Sequence, residues 1–363
     1  MTSELAVLAL VTDAFGGRGG IAQYNRDFLT ALAETCGLRP ITVVPRHAPD
    51  HVVTPMGIQQ MPPPPSRIVY VLTALVVAFT RKVDVVFCGH LYLSPLAAVI
   101  ALLKRARLVI QTHGIEAWSP PSRLQRAAVE KANLVLCVSR YTRARVLDWV
   151  AMPSERIVVL PNTVGDGFKP GNGSELRNAL ALEGKKVLLS VGRIDSRERY
   201  KGHDRVIKLL APLVADGHDV VYLIIGGGDD AGRLREMAVE AGVTDRVRFM
   251  GAVSAETLAA AYSMADLFVL PSTGEGFGIA FLEAMVSGTP AIGLSVAGAR
   301  DALADSRLGI ATCEAELLNT VARLLAGPRP DPNTLSQAVR DRFGHHSFLT
   351  CARHAVERLQ EVA

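Results

Sequence analysis

The sequence predicts two doubly wound α/β domains in tandem, and three observations support this fold class. Short, β-branched apolar runs alternate with longer helix-like stretches almost throughout the chain. The runs lack polar alternation, which is typical of parallel strands covered by helices on both faces of a sheet. The alternation is interrupted once, by a segment rich in Gly, Pro and polar residues, and then restarts. A chain of 363 residues is also too long for one ordinary core.

The first half contains six predicted strands, namely LAVLALVT, ITVVP, VDVVFCG, ARLVIQT, ANLVLCVS and IVVLPN. Between them lie the predicted helices GIAQYNRDFLTALAE, SRIVYVLTALVVAF, LSPLAAVIALLK, SRLQRAAVEK and RYTRARVLDWV. The longest apolar run covers residues 68–79, which is too short to span a bilayer because a span takes about 20 residues. We therefore expect a buried helix there, after a rigid loop formed by prolines 62–65.

The domain boundary is predicted within PNTVGDGFKPGNGSE, residues 161–175, which gives domains over residues 1–165 and 166–345. The second domain has the predicted strands KVLLSVG, DVVYLIIGG, VRFMG, LFVLPS and PAIGL. Its predicted helices are HDRVIKLLAPLVA, DDAGRLREMAVEAG, SAETLAAAYSM and IAFLEAMVSG. Two further helical stretches are predicted near Ala315–Leu325 and His346–Val362. Two such domains would face each other across a cleft lined by the loops that follow the strands.

Composition indicates a globular protein, because 49% of the residues are hydrophobic and 20% are charged. Five single cysteines occur without a CxxC pair, which predicts buried free thiols in a reducing cytosol; they are Cys36, Cys88, Cys137, Cys313 and Cys351. The first residues lack a basic segment and a small-residue cleavage site, so no signal peptide is expected. These features predict a cytoplasmic protein.

The net charge of +4 conceals an asymmetry between the two halves. Residues 1–165 hold 17 Lys and Arg against 10 Asp and Glu, a net +7, whereas the remainder holds 22 against 25, a net −3. Basic clusters recur in the first half at Arg81–Lys82, Lys104–Arg107, Arg123–Lys131 and Arg140–Arg145. An anionic membrane surface, or a phosphorylated partner, is one use for such clusters. An ordinary solvated surface is the other.

The loop after the first strand reads TDAFGGRGGIAQ and holds the spacing G-x-G-x-x-A of a dinucleotide-binding loop. Such a site needs an acid at the end of the next strand, where this chain has Arg46 and His47. Because Arg suits a 2′-phosphate, a nicotinamide-dependent oxidoreductase stays open. Alternatively, Gly19 and Gly20 expose backbone N–H groups at a helix start, ready for a phosphate.

The loop after the fourth strand, QTHGIEAW, places His113 at the strand end. This position favours a binding or catalytic role over a structural one. Metal binding is not expected, because no second His or Cys lies at ligand spacing. For nearby Glu116, a role in the cleft and simple capping both stay open.

In the second domain, the first strand ends in SVGRIDSRERYKGHD, which carries Arg193 and Lys201. A diphosphate suits this pair, because Arg binds two oxygens at once and Lys adds a point charge. The next strand ends in IIGGGDD, and the short strand VRFMG ends at Met250–Gly251.

A second candidate stretch reads GEGFGIAFLEAM, residues 274–285. The N–H groups of Gly278, Ile279 and Ala280 at the predicted helix start can cap phosphate oxygens. Glu283 falls in the first turns, where the helix dipole is expected to keep it ionised, and an ionised carboxylate can accept two hydrogen bonds from a ribose diol. Glu275 precedes the helix and is placed for the hydroxyls of a sugar.

This ordered set of motifs resembles retaining glycosyltransferases of family 4, which have the GT-B fold. The motif E-G-F-G-I-A-F-L-E-A-M at Glu275–Met285 is the E-x7-E signature in its usual glycine setting. It is accompanied, in the family's order over residues 1–300, by Gly19–Ile21, His113–Gly114, Gly192–Arg193, Lys201–Gly202 and Gly226–Asp229. One departure is PNTVGD at Pro161–Asp166, where the family often has PNGVD, so no role follows for Asp166.

The resemblance implies a role for each matching residue. Arg193 and Lys201 would neutralise the donor diphosphate, Glu283 would hold the ribose, and Glu275 would contact the transferred sugar. Backbone at Phe277, Gly278, Ile279 and Ala280 would bind the donor, with Gly19 and Gly20 near its phosphates and Met250 beside the base. His113 would face the sugar from the first domain. The resemblance also implies retention of anomeric configuration, no metal and no cofactor, and a final helix near residues 346–363 that packs on the first domain.

The resulting expectation is transfer of a hexose-type sugar from a nucleotide diphosphate sugar to a hydroxyl of a lipid-linked or glycan acceptor. The basic first domain favours an acceptor in polysaccharide, lipopolysaccharide or glycolipid synthesis, with peripheral attachment to the inner face of the cytoplasmic membrane. No nucleic-acid partner is expected. A glucan synthase-like enzyme with a soluble glucan acceptor is the second alternative beside the oxidoreductase.

Overall fold

The computed structural model describes residues 5–34, 40–49 and 52–361. The chain divides into two compact units, one comprising Met1–Thr163 with His346–Ala363 and the other Val164–His345. Each unit is built around one parallel sheet. No helix within these described ranges is long and apolar enough to cross a membrane.

The first unit has a seven-stranded parallel sheet in the order β3-β2-β1-β4-β5-β6-β7. Its strands are β1 (Val7–Val11), β2 (Ile41–Pro45), β3 (Ile58–Gln60), β4 (Val85–Cys88), β5 (Arg107–Thr112), β6 (Leu134–Cys137) and β7 (Ile157–Val159). The order reverses direction between β1 and β4, and in such sheets ligands bind beyond the carboxyl ends of the strands at this switch point. The loops after β1, β4 and β5 therefore form the candidate site of this unit.

Helices cover both faces of the first sheet. They are α1 (Gly20–Glu34), α2 (Arg67–Thr80), α3 (Ser94–Lys104), α4 (Arg123–Glu130), α5 (Arg140–Leu147) and the last helix of the chain, α14 (His345–Glu361). Leu8 and Leu10 of β1 share a core with α2, α3, α4 and α5. On the opposite face, α1 and α14 meet through Tyr24 and Phe348, whose ring centroids lie 6.1 Å apart.

The second unit has a six-stranded parallel sheet in the order β10-β9-β8-β11-β12-β13. Its strands are β8 (Lys186–Val191), β9 (Val220–Ile225), β10 (Val247–Gly251), β11 (Leu267–Leu270), β12 (Ala291–Leu294) and β13 (Ile310–Thr312). The helices are α6 (Ser174–Ala179), α7 (His203–Ala215), α8 (Ala231–Glu240), α9 (Ala255–Met264), α10 (Ile279–Val286), α11 (Ala299–Ala302), α12 (Leu317–Ala326) and α13 (Pro332–Phe343). Here the order reverses between β8 and β11, which makes the loops after these strands the candidate site.

Local chemistry explains where several helices begin. Ser66, Ser139 and Ser254 each accept a hydrogen bond from a backbone N–H of the first turn, which satisfies a donor that the helix itself leaves free. Ser122 and Gln125 form a complete capping box at the start of α4. These caps fix the helix starts close to where the sequence pattern placed them.

The predicted fold class is correct, and the predicted strands and long helices are present. The pattern did not reveal β3, β13, α6, α11 or α13, because these elements are short or polar. The expectation of a buried helix at residues 68–79 is wrong for one side of α2, since Ile68, Leu72 and Phe79 are exposed. Among the cysteines, Cys88 and Cys137 are buried and free, whereas Cys313 and Cys351 are exposed and free; Cys36 lies outside the described residues.

Candidate active site

Arg193 lies in the loop after β8, beyond Gly192. Its side chain is 72% exposed, and its guanidinium forms an ion pair with Glu198 from the same loop. Glu198 itself is largely buried, with a side-chain exposure of 13%. The arginine is therefore anchored at one point while most of its donors face solvent, an arrangement suited to an anionic ligand.

The glycines of IIGGGDD support the loop that carries Arg193. A Cβ atom on Gly226 would lie 1.8 Å from the carbonyl oxygen of Gly192, and one on Gly228 would lie 2.0 Å from that of Ile194. Both glycines also have positive φ values, 139° and 158°. Only glycine permits this close approach, so the motif positions the Arg193 loop.

The two acids that follow these glycines have a structural role. Asp229 accepts hydrogen bonds from the backbone N–H and hydroxyl of Ser196, both at 2.7 Å. Asp230 accepts from Arg199 at 3.1 Å and pairs with Arg233. The acids thus hold the 196–199 segment against the end of β9.

Lys201 and Glu275 come together from different strand-end loops. Lys201 precedes α7, Glu275 follows β11, and Nζ lies 3.4 Å from Oε1. Their side chains are only 15% and 13% exposed. A cation and a carboxylate that the sequence places on separate loops are therefore neighbours at the switch point of the second sheet.

The loop from Glu275 to α10 is fixed by close backbone contacts. The Gly298 N–H donates to the carbonyl oxygen of Glu275 at 2.9 Å. A Cβ on Gly298 would lie 2.0 Å from the Gly276 carbonyl oxygen. Gly278 has φ 101° at the N-cap of α10, and the side chain of Phe277 is buried against Phe343. Phe277 can therefore offer a ligand its backbone but not its ring.

Ile279 and Ala280 form the first turn of α10 and are half-buried. The first N–H groups of a helix have no acceptor within the helix, and they carry its partial positive charge. This end of α10 is therefore suited to anionic oxygens, as the sequence predicted for the segment 278–280.

Glu283 lies one turn into α10 and accepts a hydrogen bond of 2.8 Å from the hydroxyl of Tyr262 on α9. Burial raises the pKa of the Glu283 carboxyl above its usual range, and the hydrogen bond from Tyr262 lowers it by a smaller amount. Burial and the partial positive charge at the start of α10 therefore act on this carboxyl in opposite directions, and ionisation of Glu283 by the helix dipole stays a prediction.

Met250 lies near the end of β10, where it is half-buried. The pairing of β10 with β9 shifts between Phe249 and Gly251, which leaves Met250 outside the regular ladder. The N–H of Gly226 donates to the carbonyl oxygen of Gly251 at 2.9 Å, so Met250 lies beside the glycine turn that supports the Arg193 loop.

In the first unit, His113 follows β5. Its Nε2 lies 2.8 Å from the carbonyl oxygen of Gly89, which requires Nε2–H as the donor and leaves Nδ1 unprotonated in the neutral ring. Burial lowers the pKa of His113 to about 4. The carboxylate of Glu116 accepts from the backbone N–H of His113 at 2.5 Å, so Glu116 caps the turn.

His90 lies beside His113, with ring centroids 5.8 Å apart, and sequence reasoning missed it. It follows β4, and its Nδ1 accepts from the backbone N–H of Tyr92 at 3.2 Å. Burial lowers the pKa of His90 to about 4. The available signal was its position one residue beyond FCG at a strand end, the same criterion that identified His113.

Gly19 and Gly20 stand exposed at the start of α1, and Gly19 has φ 93°. Arg26 holds the preceding loop, because its Nη1 donates to the carbonyl oxygens of Ala14 at 3.0 Å and Gly17 at 2.8 Å. Arg46 donates to the carbonyl oxygen of Pro64 at 3.3 Å. Arg46 therefore has a structural partner in the region where a dinucleotide site would have needed it.

In the second unit, Arg193 and Lys201 share one loop, Glu275 lies in a second loop in contact with Lys201, Glu283 lies on α10 and Met250 on β10. His113, Gly19 and Gly20 lie in the first unit. Two supporting residues had weak sequence signals: Glu198 lies inside a basic loop, and Tyr262 occupies an ordinary core position of a helix. Across residues 5–34, 40–49 and 52–361, no group of three or more His, Cys, Asp or Glu side chains is arranged to hold a metal ion.

Two Rossmann-like units, each with its polar loops after the parallel strands, are the architecture of the GT-B class. The family described as Glycosyltransferase Family 4 matches residues 18–166, and Glycosyl transferases group 1 matches residues 173–342. The chain belongs to this family of glycosyltransferases. The matches leave the nicotinamide-dependent alternative without support.

Among curated proteins, the chain is similar to a GDP-mannose-dependent alpha-(1-6)-phosphatidylinositol monomannoside mannosyltransferase of Mycolicibacterium smegmatis. The identity is 34% over 256 residues, covering 65% of this chain and 66% of that protein. It is also similar to the alpha-D-kanosaminyltransferase of Streptomyces kanamyceticus, with 31% identity over 56% of this chain and 54% of that protein. The chain thus matches less than two thirds of the length of these relatives.

Solved structures support the same fold. Anabaena HepE in complex with UDP superposes with a TM-score of 0.78 and 18% identity, covering 97% of this chain and 100% of that one. Sucrose-phosphate synthase from Thermosynechococcus elongatus gives a TM-score of 0.77 and 22% identity, covering 98% and 100%.

Proposed function

We propose that the protein is a retaining glycosyltransferase that moves a hexose-type sugar from a nucleotide diphosphate sugar to a hydroxyl of a lipid-linked or glycan acceptor. The observation that carries the proposal is the pairing of Lys201 with Glu275 at the switch point of the second sheet. The names of the relatives, with GDP-mannose as donor in one and UDP bound in a structural neighbour, support a nucleotide-sugar donor.

In this proposal the second unit binds the donor. Arg193 and Lys201 neutralise the diphosphate, and the first turn of α10 supplies backbone N–H groups to its oxygens. Glu283 accepts from the ribose hydroxyls, and Met250 lies beside the base. Glu275 accepts from hydroxyls of the transferred sugar and in turn is held by Lys201.

The first unit would supply the acceptor side. His113, neutral at physiological pH, would offer its unprotonated Nδ1 to a hydroxyl of the transferred sugar, and Gly19 with Gly20 would approach the phosphates. The bond between the anomeric carbon and the leaving phosphate oxygen breaks while the acceptor oxygen attacks from the same face. The departing phosphate oxygen takes the acceptor's proton, so the anomeric configuration is retained and no metal is required.

A panel of nucleotides and nucleotide sugars tests the proposal, beginning with GDP-mannose and UDP-glucose. We expect one nucleoside diphosphate family to raise the melting temperature and its sugar form to be hydrolysed slowly or transferred. Proton NMR of the product then reports the anomeric configuration, and excess EDTA reports on metal dependence. No stabilisation by any nucleoside diphosphate would exclude the proposed donor site.

The acceptor is tested with the same donor. A phosphatidylinositol or polyprenyl-linked glycan is favoured by the phosphatidylinositol monomannoside in the relative's name and by the net +7 of residues 1–165. If the protein transferred sugar to a soluble glucan but not to a lipid-linked acceptor, the lipid-linked class would be excluded. The protein would then act like a glucan synthase.

A further inference from the structure

The second helix of the first unit is apolar on both sides. One side packs into the core through Tyr70, Ala74, Val77 and Ala78, all nearly fully buried. The opposite side presents Ile68, Leu72, Val76 and Phe79, which are 75%, 56%, 59% and 63% exposed. Their spacing of four, four and three residues aligns them along one face of α2. Monomeric soluble proteins rarely expose such a continuous apolar stripe.

The stripe continues on the neighbouring helix. Val99, Leu102 and Leu103 of α3 are 49%, 72% and 55% exposed. The Nζ of Lys104 at the end of α3 donates to the backbone carbonyl of Arg81 just beyond α2, at 3.2 Å, so the two helices end side by side. We call these seven exposed side chains the apolar face: Ile68, Leu72, Val76, Phe79, Val99, Leu102 and Leu103.

Cations lie at the edge of the apolar face. Arg81 and Lys82 follow α2, Lys104 and Arg105 end α3, and Arg67 begins α2. Residues 51–115 contain six Lys or Arg but only one carboxylate, Asp84, which pairs with Lys82 at 3.1 Å. Cations therefore lie at both ends of α2 and at the end of α3, and within residues 51–115 Asp84 is the one carboxylate that compensates them.

We propose that the apolar face is a docking surface for an anionic lipid bilayer. Its side chains enter the boundary between headgroups and acyl chains, while the flanking cations contact lipid phosphates. A helix of 14 residues is about 21 Å long and lies in the plane of the membrane, too short to cross it. A second copy of this chain fits less well, because it would bring the same cations together. The surface does not depend on the proposed transfer reaction.

Vesicle sedimentation without any nucleotide sugar tests the apolar part of the surface. The wild-type chain should bind phosphatidylcholine vesicles containing 30% phosphatidylglycerol. The double variant Leu72→Gln/Phe79→Gln should lose at least about tenfold in partitioning, because two large apolar groups no longer leave water. The control is Val239→Gln on α8, a side chain that is 64% exposed in the other unit, and it should bind like the wild type.

The charged part is tested with Lys82→Glu/Arg105→Glu. This variant should lose the preference for anionic over neutral vesicles and most of the sensitivity to salt, since it reverses two cations at the rim. The matched control is Lys185→Glu, a half-buried lysine of the second unit that pairs with Asp219 as Lys82 pairs with Asp84. The proposal would be overturned if the wild-type chain bound neutral and anionic vesicles equally and the Leu72→Gln/Phe79→Gln variant bound as well as the wild type.

Insertion itself is measured with Phe79→Trp. Its emission should shift to the blue on adding anionic vesicles, against the constant background of Trp118 and Trp149, and brominated lipids should quench it. An unshifted, unquenched emission would overturn insertion. Because the substituted side chains are exposed, melting temperatures should stay within a few degrees of wild type. If the wild-type chain dimerised without lipid and the Leu72→Gln/Phe79→Gln variant did not, the apolar face would be an interface with a second copy. That result would overturn the membrane proposal.

Discussion

Lys201 and Glu275, 74 positions apart in sequence, form a largely buried ion pair with Nζ 3.4 Å from Oε1. Each charge compensates the other in a place where an isolated charge would be costly. The geometry also keeps both groups available at the loop surface, since neither is fully enclosed. The pair therefore combines support for the loops with a site that a diphosphate and a sugar hydroxyl could share.

We expect Lys201→Ala and Glu275→Ala each to lower sugar transfer by at least about a hundredfold, because in the proposed mechanism Lys201 stabilises the leaving group and Glu275 holds the sugar. The double variant should lose little more than the worse single variant, since the two act as a unit. Turnover with the identified donor measures the loss, and circular dichroism checks the fold.

The control for these variants is Lys185→Ala. Lys185 also pairs with a carboxylate, Asp219, at 3.3 Å, but both groups are substantially exposed. Its loss should leave turnover unchanged and shift stability by less than about 1 kcal/mol. Near-normal transfer by Lys201→Ala would remove the proposed role of the pair.

Gly298→Ala should damage donor binding without touching a donor-binding side chain. The added Cβ would meet the Gly276 carbonyl oxygen at 2.0 Å and displace the loop whose Glu275 carbonyl accepts from the Gly298 N–H. We expect a destabilisation of about 1–3 kcal/mol and a raised KM for the donor. The control is Gly232→Ala within α8, where no atom lies within 4 Å and alanine favours the helix. Equal effects of the two changes would contradict this explanation.

The fold was predictable from the sequence because both sheets are parallel and covered by helices, which makes their strands uniformly apolar. β3 escaped prediction because it is a three-residue edge strand, IQQ, with one buried side chain. The helix α13 escaped because its pattern is polar, although Phe343 packs on Phe277. For α2, apolar residues on every side indicated burial, but the pattern cannot tell a core from a surface that remains exposed.

The charged candidates of the site were predictable because they follow strands at the carboxyl edge of a parallel sheet. Their partners were not, since Glu198 and Tyr262 reach Arg193 and Glu283 only through the tertiary structure. The sequence also did not reveal the full function of the glycines. Gly226 serves mainly to let two loops pack, which becomes visible only when the distance to Gly192 is known.

Tyr262→Phe should weaken donor binding in a pH-dependent way. The change removes the hydroxyl that donates to Glu283 and lowers its pKa, so the carboxyl becomes protonated at a higher pH than in the wild type. If Glu283 holds the ribose as a carboxylate, the donor KM should rise about three- to tenfold, and more steeply as pH falls from 8 to 5.5. If the ratio of the donor KM of Tyr262→Phe to that of the wild type did not change with pH, Tyr262 would not act through the ionisation of Glu283.

The chain should lose stability as pH falls from 6.5 towards 4, and His113 should account for part of the loss. In the folded protein the pKa of His113 is lowered from 6.5 to about 4 by burial, so only the unfolded chain binds a proton in this window. The contribution of His113 to the free energy of unfolding is therefore fully present above pH 6.5. It is lost as the pH falls towards 4, and the loss is about 2–3 kcal/mol. His90, also lowered to about 4, contributes in the same direction. Urea unfolding followed by tryptophan fluorescence measures the first unit, since Trp118 and Trp149 both belong to it.

The variant that isolates the contribution of His113 to the pH dependence of stability is His113→Gln. Its amide can still donate to the Gly89 carbonyl but does not titrate. Its free energy of unfolding should fall less steeply between pH 6.5 and 4 than that of the wild type, with His90, and His203 where the second unit unfolds in the same transition, contributing to the remainder. An unchanged slope in His113→Gln would show that the His113 imidazole binds its proton as readily in the folded protein as in the unfolded chain, which contradicts a pKa lowered by burial.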